Sequence, residues 1–480
     1  MGRLNKLKFK VGNKEFSLSF IFSVLSSAIG AVFSFLCAKF LQSELYGELQ
    51  YYISIVSLLN VFMLFGVDYY IIKNGQYHTN KQELQSNAFL FVTFLSLFIF
   101  PIYFRIASSF LVRFNGNDGL ILLLFIMSLA LAFSTIFFSY LQSINKYQLK
   151  MFFASLLPHL AFLIIFLIHL LTNSLDAFMD LYLVYYFAIY GLIGIIMFIK
   201  YIFPIGRFFT IKDCISIIIF GLSYSLYNCT NAISSIFIGE KYEDFGVVGI
   251  FSLSNQLLSI AGLATGIISQ TSMTTFSKLT KEDNKKQLFL NFERITRIQM
   301  YISVPFYAAF IFEAKRVMGF FGDSYLGNNF ILILLSISAL IDCVTGPCGS
   351  ILLMGGKEKE NLIASIIKIV IFLATLAALI KYTPLAAPIA SIVSAVIANG
   401  IKLFYVSKFQ KKIYLTFNII LTFICVFLIS SLVFFGLSFI SNKILWAVLN
   451  CTCGIGLIIA FILFTPFKGD RQYFSRGKEL

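Results

Sequence analysis

The chain has 480 residues, of which 59% are hydrophobic and only 12% are charged. Soluble domains carry about 25% charged and about 45–50% apolar residues, so this composition excludes an ordinary soluble protein and a disordered one. The formal net charge of +15 would elsewhere suggest nucleic acid as a partner. Here the positions of the basic residues assign them to one face of a membrane instead.

Apolar runs of about 20 residues, the length that a helix needs to cross a bilayer, recur along the whole chain. We predict fourteen of them, and therefore an all-α polytopic membrane protein. The predicted spans are 18–38, 51–72, 88–106, 119–141, 152–172, 178–199, 214–238, 246–272, 295–312, 329–354, 361–380, 384–405, 415–440 and 444–466. The connecting segments average ~13 residues, which leaves no room for a separate soluble domain.

The basic residues follow these spans in a regular way. With the amino terminus inside, 28 Lys and Arg fall in segments assigned to the cytoplasm and 8 in segments assigned to the outside. Because basic residues accumulate in short cytoplasmic loops, this split predicts that both termini are cytoplasmic. The eight Cys have no metal-ligating spacing, and a P-loop and paired catalytic carboxylates are absent. We therefore expect neither an enzyme nor a metal or other cofactor.

Two short motifs repeat at offsets that equal six spans. The residues around Gly47 resemble those around Gly249, 202 residues later, and 141–146 resemble 352–357, 211 residues later. Because an even number of spans preserves orientation, we predict two parallel six-helix lobes around a central cavity, followed by two further helices. The predicted boundaries are 1–200 for the first lobe, 201–412 for the second, and 413–480 for the last two spans and a cytoplasmic tail.

Two ionisable residues lie deep inside predicted spans. Asp342 is near the middle of span ten, and Lys368 is ~12 Å from the cytoplasmic end of span eleven. Such groups are costly in hydrocarbon, so they line a hydrated cavity or bond a neighbouring helix. Both alternatives stay open, including a pair between Asp342 and Lys368. The sequence Thr345 to Gly349 contains Gly-Pro, which predicts a kink beside the carboxylate.

Further charged residues lie at the ends of predicted spans. Lys39, Asp68 and Lys73 are at the ends of spans one and two, where reaching toward the interface is the simplest role. Arg294 and Arg297 are at the cytoplasmic start of span nine. These two guanidinium groups either bind phosphate in a bidentate manner or anchor the helix to anionic lipid.

Five segments together resemble one family, the Wzx-type polysaccharide-unit flippases of the multidrug/oligosaccharidyl-lipid/polysaccharide (MOP) exporter superfamily. They carry a basic residue with Tyr-Gly after span one, a glycine-centred end of span two, a Val-Gly start of span eight, a Phe-Gly turn after span nine, and a Gly-Lys turn after span ten. The segments are 38–47, 64–73, 247–252, 320–325 and 353–359.

This resemblance implies a transporter whose two lobes open alternately to either side of the bacterial cytoplasmic (inner) membrane. The implied cargo is an O-antigen repeat unit linked through pyrophosphate to undecaprenol, moved with the help of an ion gradient. The implied partners are anionic membrane lipids, a polysaccharide polymerase and a chain-length regulator, with no nucleic acid. The implied substrate-binding residues are Lys39, Lys73, Arg297 and Lys368, and the implied ion-coupling residues are Asp342 and Asp68.

Two departures from the family pattern stand out. Ser234 and Ser235 occupy a region where the family often has an acidic residue, and Lys39 and Lys73 replace arginines, which keeps the charge but loses the bidentate fork. Alternatives remain open: a MATE-like drug/cation antiporter, or a flippase for capsule or exopolysaccharide units. An integral-membrane glycan polymerase or ligase is less well matched, because the outside loops are short.

Overall fold

The computed structural model describes residues 2–74, 81–110, 117–144, 146–201, 217, 229–242, 244–410, 415–440, 442–467 and 470. These residues form helices and short connections, without a strand among them, so the predicted all-α class is confirmed. The chain divides into two compact units, Met1–Gly249 and Ile250–Leu480.

The first unit is built around α4, which packs against α1, α2, α3 and α6. Its helices are α1 Gly2–Leu64, α2 Val67–Asn74, α3 Lys81–Phe110, α4 Asp118–Ser143, α5 Tyr147–Leu171, α6 Leu175–Tyr201 and α7 229–242. Helix α5 contains one π-helical turn, Phe152–Leu156. The next helix, α8 Phe245–Lys281, begins in this unit and extends beyond it.

Helix α1 contains both of the first two predicted spans. Its apolar part, Leu25–Leu64, has 40 residues and measures ~60 Å, twice the thickness of a hydrocarbon core. We expected a loop of several residues between the spans, and this was wrong. A single non-helical residue, Gln42 (φ 62°), changes the chain direction, and helix continues on both sides. The second span also ends at Leu64, earlier than predicted, because the next two residues have positive φ.

The second unit places α9 in contact with α11, α15 and α16, while α13 and α14 pack as a pair and α14 also contacts α11. Its helices are α9 Lys285–Phe312, α10 Ala314–Gly319, α11 Phe330–Thr345, α12 Cys348–Met354, α13 Glu358–Leu379, α14 Ala386–Gln410, α15 Phe417–Leu437 and α16 Lys443–Phe464. Helix α9 starts ten residues before predicted span nine. Arg297, which we expected at the start of that span, therefore lies inside a continuous helix.

Ten of the described helices are long and apolar enough to cross a membrane, and the bent pair α11 and α12 makes an eleventh. Two of the fourteen predicted spans share α1, and most of predicted span seven lies outside the described residues. Predicted span fourteen corresponds to α16, whose apolar part is Val448–Phe464. The described parts of the predicted spans are thus formed mainly by helices, as expected of a polytopic membrane protein.

The repeated glycines predicted from the sequence meet in the first unit. A Cβ on Gly47 would overlap the carbonyl oxygen of Phe245, and a Cβ on Gly249 would overlap the carbonyl oxygen of Ser43. In both cases the carbonyl is four residues before the opposite glycine. This reciprocal contact is the one expected of two copies of a motif related by a local twofold axis, and it supports the duplication.

Candidate functional site

The structure brings two of the predicted site residues together and separates the others. Asp342 and Lys368 meet in the second unit, where Lys368 is attracted by the Asp342 carboxylate. In the first unit Lys39 is exposed on α1, whereas Asp68 is buried on α2. Lys73 also lies on α2, but its side chain is outside what the structure describes.

We call the group formed by Asp342, Lys368, Asn399 and Lys402 the lysine cluster. Its members come from α11, α13 and α14, three helices that pack together in the second unit. Asp342 is ~18 Å along α11 from its start, and Lys402 is ~12 Å from the end of α14. The cluster therefore lies at depths where a charged side chain cannot easily reach water by extending along its own helix.

The side chains of the lysine cluster interact through one hydrogen bond and through their charges. The amide of Asn399 donates a hydrogen bond of 2.5 Å to the Asp342 carboxylate. Both Lys368 and Lys402 are attracted by the same carboxylate, and the two ammonium groups repel each other. Lys368 is 7% exposed and Lys402 is 9% exposed, while Asp342 is half-buried. With all three groups ionised, the cluster carries a net charge of +1.

A broken helix lies directly beside this cluster. Helix α11 ends at Thr345 and α12 begins at Cys348, with a bend of 46° between them, so the kink predicted from Gly-Pro is confirmed. Gly346 has φ +65°, and a Cβ there would collide with Thr296 of α9. The Thr345 hydroxyl donates to the Asp342 carbonyl oxygen. The break thus fixes the backbone one turn after the carboxylate.

A buried amide extends the site toward α12. The Oδ1 atom of Asn361 is buried without a hydrogen-bond partner in the described part of the chain. A Cβ on Gly349 would lie 3.4 Å from this atom and 3.9 Å from Nζ of Lys402. An acceptor and an ammonium group therefore approach the same glycine from α13 and α14.

Lys402 is the residue that sequence reasoning missed. It is one of the 28 basic residues assigned above to cytoplasmic segments, and the structure shows in addition that it is buried on α14 in the second unit. A signal was present, since Lys402 falls inside predicted span twelve and is three residues from Asn399, which places both on one helix face. Without Lys402 the basic residues still divide 27 to 8.

Arg297 belongs to a second buried group, which we call the Arg297 cluster and which comprises Glu293, Arg297, Tyr301, Thr465 and Asp470. Arg297 donates to both carboxylate oxygens of Asp470, from Nε at 2.8 Å and from Nη2 at 2.9 Å. Glu293 lies 3.9 Å from Nη1 of the same guanidinium group. Asp470 is only 1% exposed. The position of Asp470 in a polar tail gave no sequence signal of this contact.

Further contacts within and around the Arg297 cluster enclose the guanidinium group from two sides. The Tyr301 hydroxyl bonds Thr465 at 2.8 Å and Asp470 at 3.3 Å. The Phe467 ring lies 4.0 Å from the guanidinium carbon, which is a cation–π distance. On the other side, Thr416 donates a hydrogen bond to Glu293. The segment after α16 is thus fastened to α9 by charged, aromatic and hydroxyl groups together.

The first unit holds a simpler polar pair around Asp68. Lys150 on α5 is attracted by the Asp68 carboxylate and also donates a hydrogen bond to Gln142 on α4. Asp68 therefore faces an ammonium group, an arrangement that can stabilise helix packing or exchange an ion. Within the described residues, His, Cys, Asp and Glu form no group of three that could hold a metal ion.

Comparison with known proteins identifies the family to which the chain is similar and solved structures that share its fold. A family model described as "Polysaccharide biosynthesis protein" matches residues 36–328. The capsular polysaccharide biosynthesis protein CapF of Staphylococcus aureus is 31% identical over 158 residues, which are 32% of this chain and 39% of CapF. The matched part thus spans about two fifths of the length of that curated relative.

Two solved transporter structures share the architecture. The lipid II flippase MurJ in an inward closed conformation aligns with a TM-score of 0.66 at 17% identity, over 96% of this chain and 99% of that one. The MATE multidrug transporter DinF-BH aligns with a TM-score of 0.57 at 14% identity, over 83% of this chain and 96% of that one. These likenesses show a shared fold.

Proposed function

The chain belongs to the polysaccharide biosynthesis protein family, and from this premise we propose that it is a flippase for a lipid-linked oligosaccharide. The proposed cargo is an O-antigen repeat unit on undecaprenyl pyrophosphate. It crosses the bacterial cytoplasmic membrane by alternating access, with coupling to an ion gradient and with both termini of the chain in the cytoplasm. The chain is then a transporter and not an enzyme.

The fold supports this proposal because a glycan needs polar groups along its path through the membrane. A glycan cannot enter hydrocarbon, because its hydroxyl groups would lose their hydrogen bonds to water without replacement. A polytopic helical protein can offer polar side chains at membrane depth while the lipid tail stays in the bilayer. The fold shared with a lipid II flippase and a MATE transporter agrees with this division of labour.

The observation that carries the proposal is the composition of the lysine cluster, in which two buried lysines share one carboxylate. A buried cationic group attracts an anion, and a pyrophosphate linkage supplies one. We assign Lys368 and Lys402 as the groups that attract it, and Asp342 as the internal carboxylate that holds both lysines and takes part in ion coupling. Lys39 and Lys73 in the first unit are proposed as further substrate contacts, and Asp68 as a second coupling group.

A complementation experiment tests the proposal. A strain lacking this chain should lose surface polysaccharide and accumulate lipid-linked repeat units, and the wild-type chain should restore both. The Lys368→Ala variant should fail to restore them, because the cluster loses a cation that attracts pyrophosphate. Lys408→Ala is the matched control, since Lys408 is exposed on α14. With equal expression of all variants, restored polysaccharide by Lys368→Ala would remove the lysine cluster from the proposed site.

Capsule units are a second candidate cargo, favoured by the similarity to a capsular polysaccharide biosynthesis protein. The same strain distinguishes the two, because loss of capsule with intact O-antigen assigns capsule units as the cargo. A drug/cation antiporter is the remaining alternative, favoured by the likeness to DinF-BH. Increased drug sensitivity with unchanged surface polysaccharide would replace the flippase proposal with that one.

A further inference from the structure

The Arg297 cluster has a chemistry that the proposed transport mechanism does not use. Its centre is a guanidinium group that donates two parallel hydrogen bonds to one carboxylate, with the Tyr301 hydroxyl 3.3 Å from the same carboxylate. A fork of this kind fits carboxylate and phosphate equally well. The residue that fills it, Asp470, comes from the chain itself, six residues after α16 ends.

The charge balance of the Arg297 cluster shows that Asp470 is not needed to neutralise Arg297. Among the described residues the guanidinium group is attracted by two carboxylates, Asp470 and Glu293. The cluster therefore carries a net charge of −1 when Asp470 is docked. If Asp470 leaves, Arg297 and Glu293 remain as a neutral pair on one helix, four residues apart. Removal of Asp470 thus leaves no uncompensated charge behind.

The surroundings of the carboxylate are suited to an exchange of ligands. Tyr301 and Thr465 hold the segment through a hydroxyl pair at 2.8 Å, and Phe467 covers one face of the guanidinium group at 4.0 Å. The contacts that the described residues Thr465, Phe467 and Asp470 make with α9 thus include Arg297 and Tyr301 as shared partners. If Asp470 leaves α9, the Arg297 guanidinium group and the Tyr301 hydroxyl become available to another oxyanion at the same time.

We propose that Arg297 and Tyr301 form an oxyanion-binding site and that Asp470 is its internal, replaceable ligand. The external ligand is a phosphate-type oxyanion, carried either by a lipid head group or by a free phosphate compound. Binding of this oxyanion displaces Asp470 from α9, together with Thr465 and Phe467. The proposed site lies on α9 and shares no residue with the lysine cluster, so the two sites can be tested separately.

The test uses the full-length purified protein in detergent, with pyrophosphate as the probe and chloride at equal ionic strength as the reference. Hydrogen exchange of the backbone amides of Phe467 and Asp470, which are hydrogen-bonded, should be slow in chloride and faster in pyrophosphate. In Asp470→Asn the exchange should be fast in both. The apparent pyrophosphate affinity of Asp470→Asn, measured by the shift in thermal unfolding, should be about tenfold higher than that of the wild type, because a charge-assisted competitor has been removed.

Three variants separate the oxyanion site from a purely structural contact. Arg297→Lys keeps the charge but loses the fork, so pyrophosphate should no longer change the exchange of the Phe467 and Asp470 amides. Tyr301→Phe removes one donor and should weaken the pyrophosphate effect without abolishing it. Asp283→Asn changes an exposed carboxylate of the same unit and should behave as the wild type does.

The source of the oxyanion is distinguished with the same exchange measurement in nanodiscs. Faster exchange with phosphatidic acid than with phosphatidylcholine, in the absence of pyrophosphate, identifies a lipid head group as the ligand. Faster exchange only on addition of pyrophosphate identifies a free phosphate compound. If Asp470→Asn loses thermal stability and neither ligand affects it more than chloride does, the proposal is overturned and the contact is structural.

Discussion

The lysine cluster and the Arg297 cluster are both buried charged groups of the second unit, but their charge balances are opposite. The first has two ammonium groups and one carboxylate, which Asn399 also bonds. The second has one guanidinium group and two carboxylates. In each cluster the minority charge attracts both majority charges. The single carboxylate of one cluster and the single cation of the other should therefore matter most for stability.

The largest loss of stability is expected from removing the minority charge of the more deeply buried cluster. Arg297→Met leaves Glu293 and Asp470 facing each other without a cation, which should cost about 3–5 kcal/mol of unfolding free energy. Asp470→Asn leaves the neutral pair of Arg297 and Glu293 and should cost about 1 kcal/mol. Chemical unfolding in detergent measures both. Equal losses would contradict the asymmetry.

A somewhat smaller loss is expected for the carboxylate of the lysine cluster. Asp342→Asn leaves two ammonium groups that repel each other, but Asp342 is only half-buried, so water offsets part of the cost. We expect a loss of about 2–3 kcal/mol. The control Asp283→Asn should change the unfolding free energy by less than about 0.5 kcal/mol. A second substitution, Lys402→Met, should recover part of the loss, and failure to do so would refute the pairwise repulsion.

The broken helix is a feature of the lysine cluster that the Arg297 cluster lacks, since Arg297 lies within the continuous helix α9. Gly346→Ala should cost about 1–3 kcal/mol, because φ is positive there and the methyl group would meet Thr296. Gly400→Ala is the matched control on α14, where nothing lies within 4 Å of the added Cβ. Gly400→Ala should be neutral or slightly stabilising, and a similar loss in both variants would argue against strain at the break.

The smallest effect on stability is expected from removing one majority charge of the lysine cluster. Lys402→Met leaves Asp342 paired with Lys368, a neutral pair, and should change unfolding free energy by about 1 kcal/mol or less. Its effect on surface polysaccharide should be much larger, because the net charge of the site falls from +1 to zero. Unfolding measurements and the complementation assay, made on the same variant, separate the two effects.

The sequence predicts the helices well because lipid imposes a long apolar pattern on every span. Asp342, Lys368 and the Gly-Pro break were found for the same reason, since each interrupts such a pattern. Lys402 was missed because it lies three residues before the end of predicted span twelve, where a lysine usually reaches the interface, whereas the helix α14 continues to Gln410. Its burial depends on which helices surround α14, and this is a property of tertiary packing.

The contact between Arg297 and Asp470 could not be predicted, because the two residues are separated by 173 positions and Asp470 lies outside any periodic pattern. The close approach of Gly47 and Gly249 was predicted in part. The repeat around Gly47 and Gly249 was visible in the sequence, but only the structure shows that the two glycines pack against one another. Sequence similarity therefore predicted the duplication, while the reason for the small residue came from the backbone approach.

The most direct test of the central claim is translocation of a lipid-linked oligosaccharide by the purified chain in proteoliposomes. Accessibility of the glycan to an externally added glycosidase measures the transfer between leaflets. The wild-type chain should make the inner-leaflet fraction accessible, whereas Lys368→Met and Lys402→Met should do so slowly and Lys408→Met at the wild-type rate. Wild-type rates for both buried lysine variants would contradict the account, since the lysine cluster would then have no part in moving an anionic substrate.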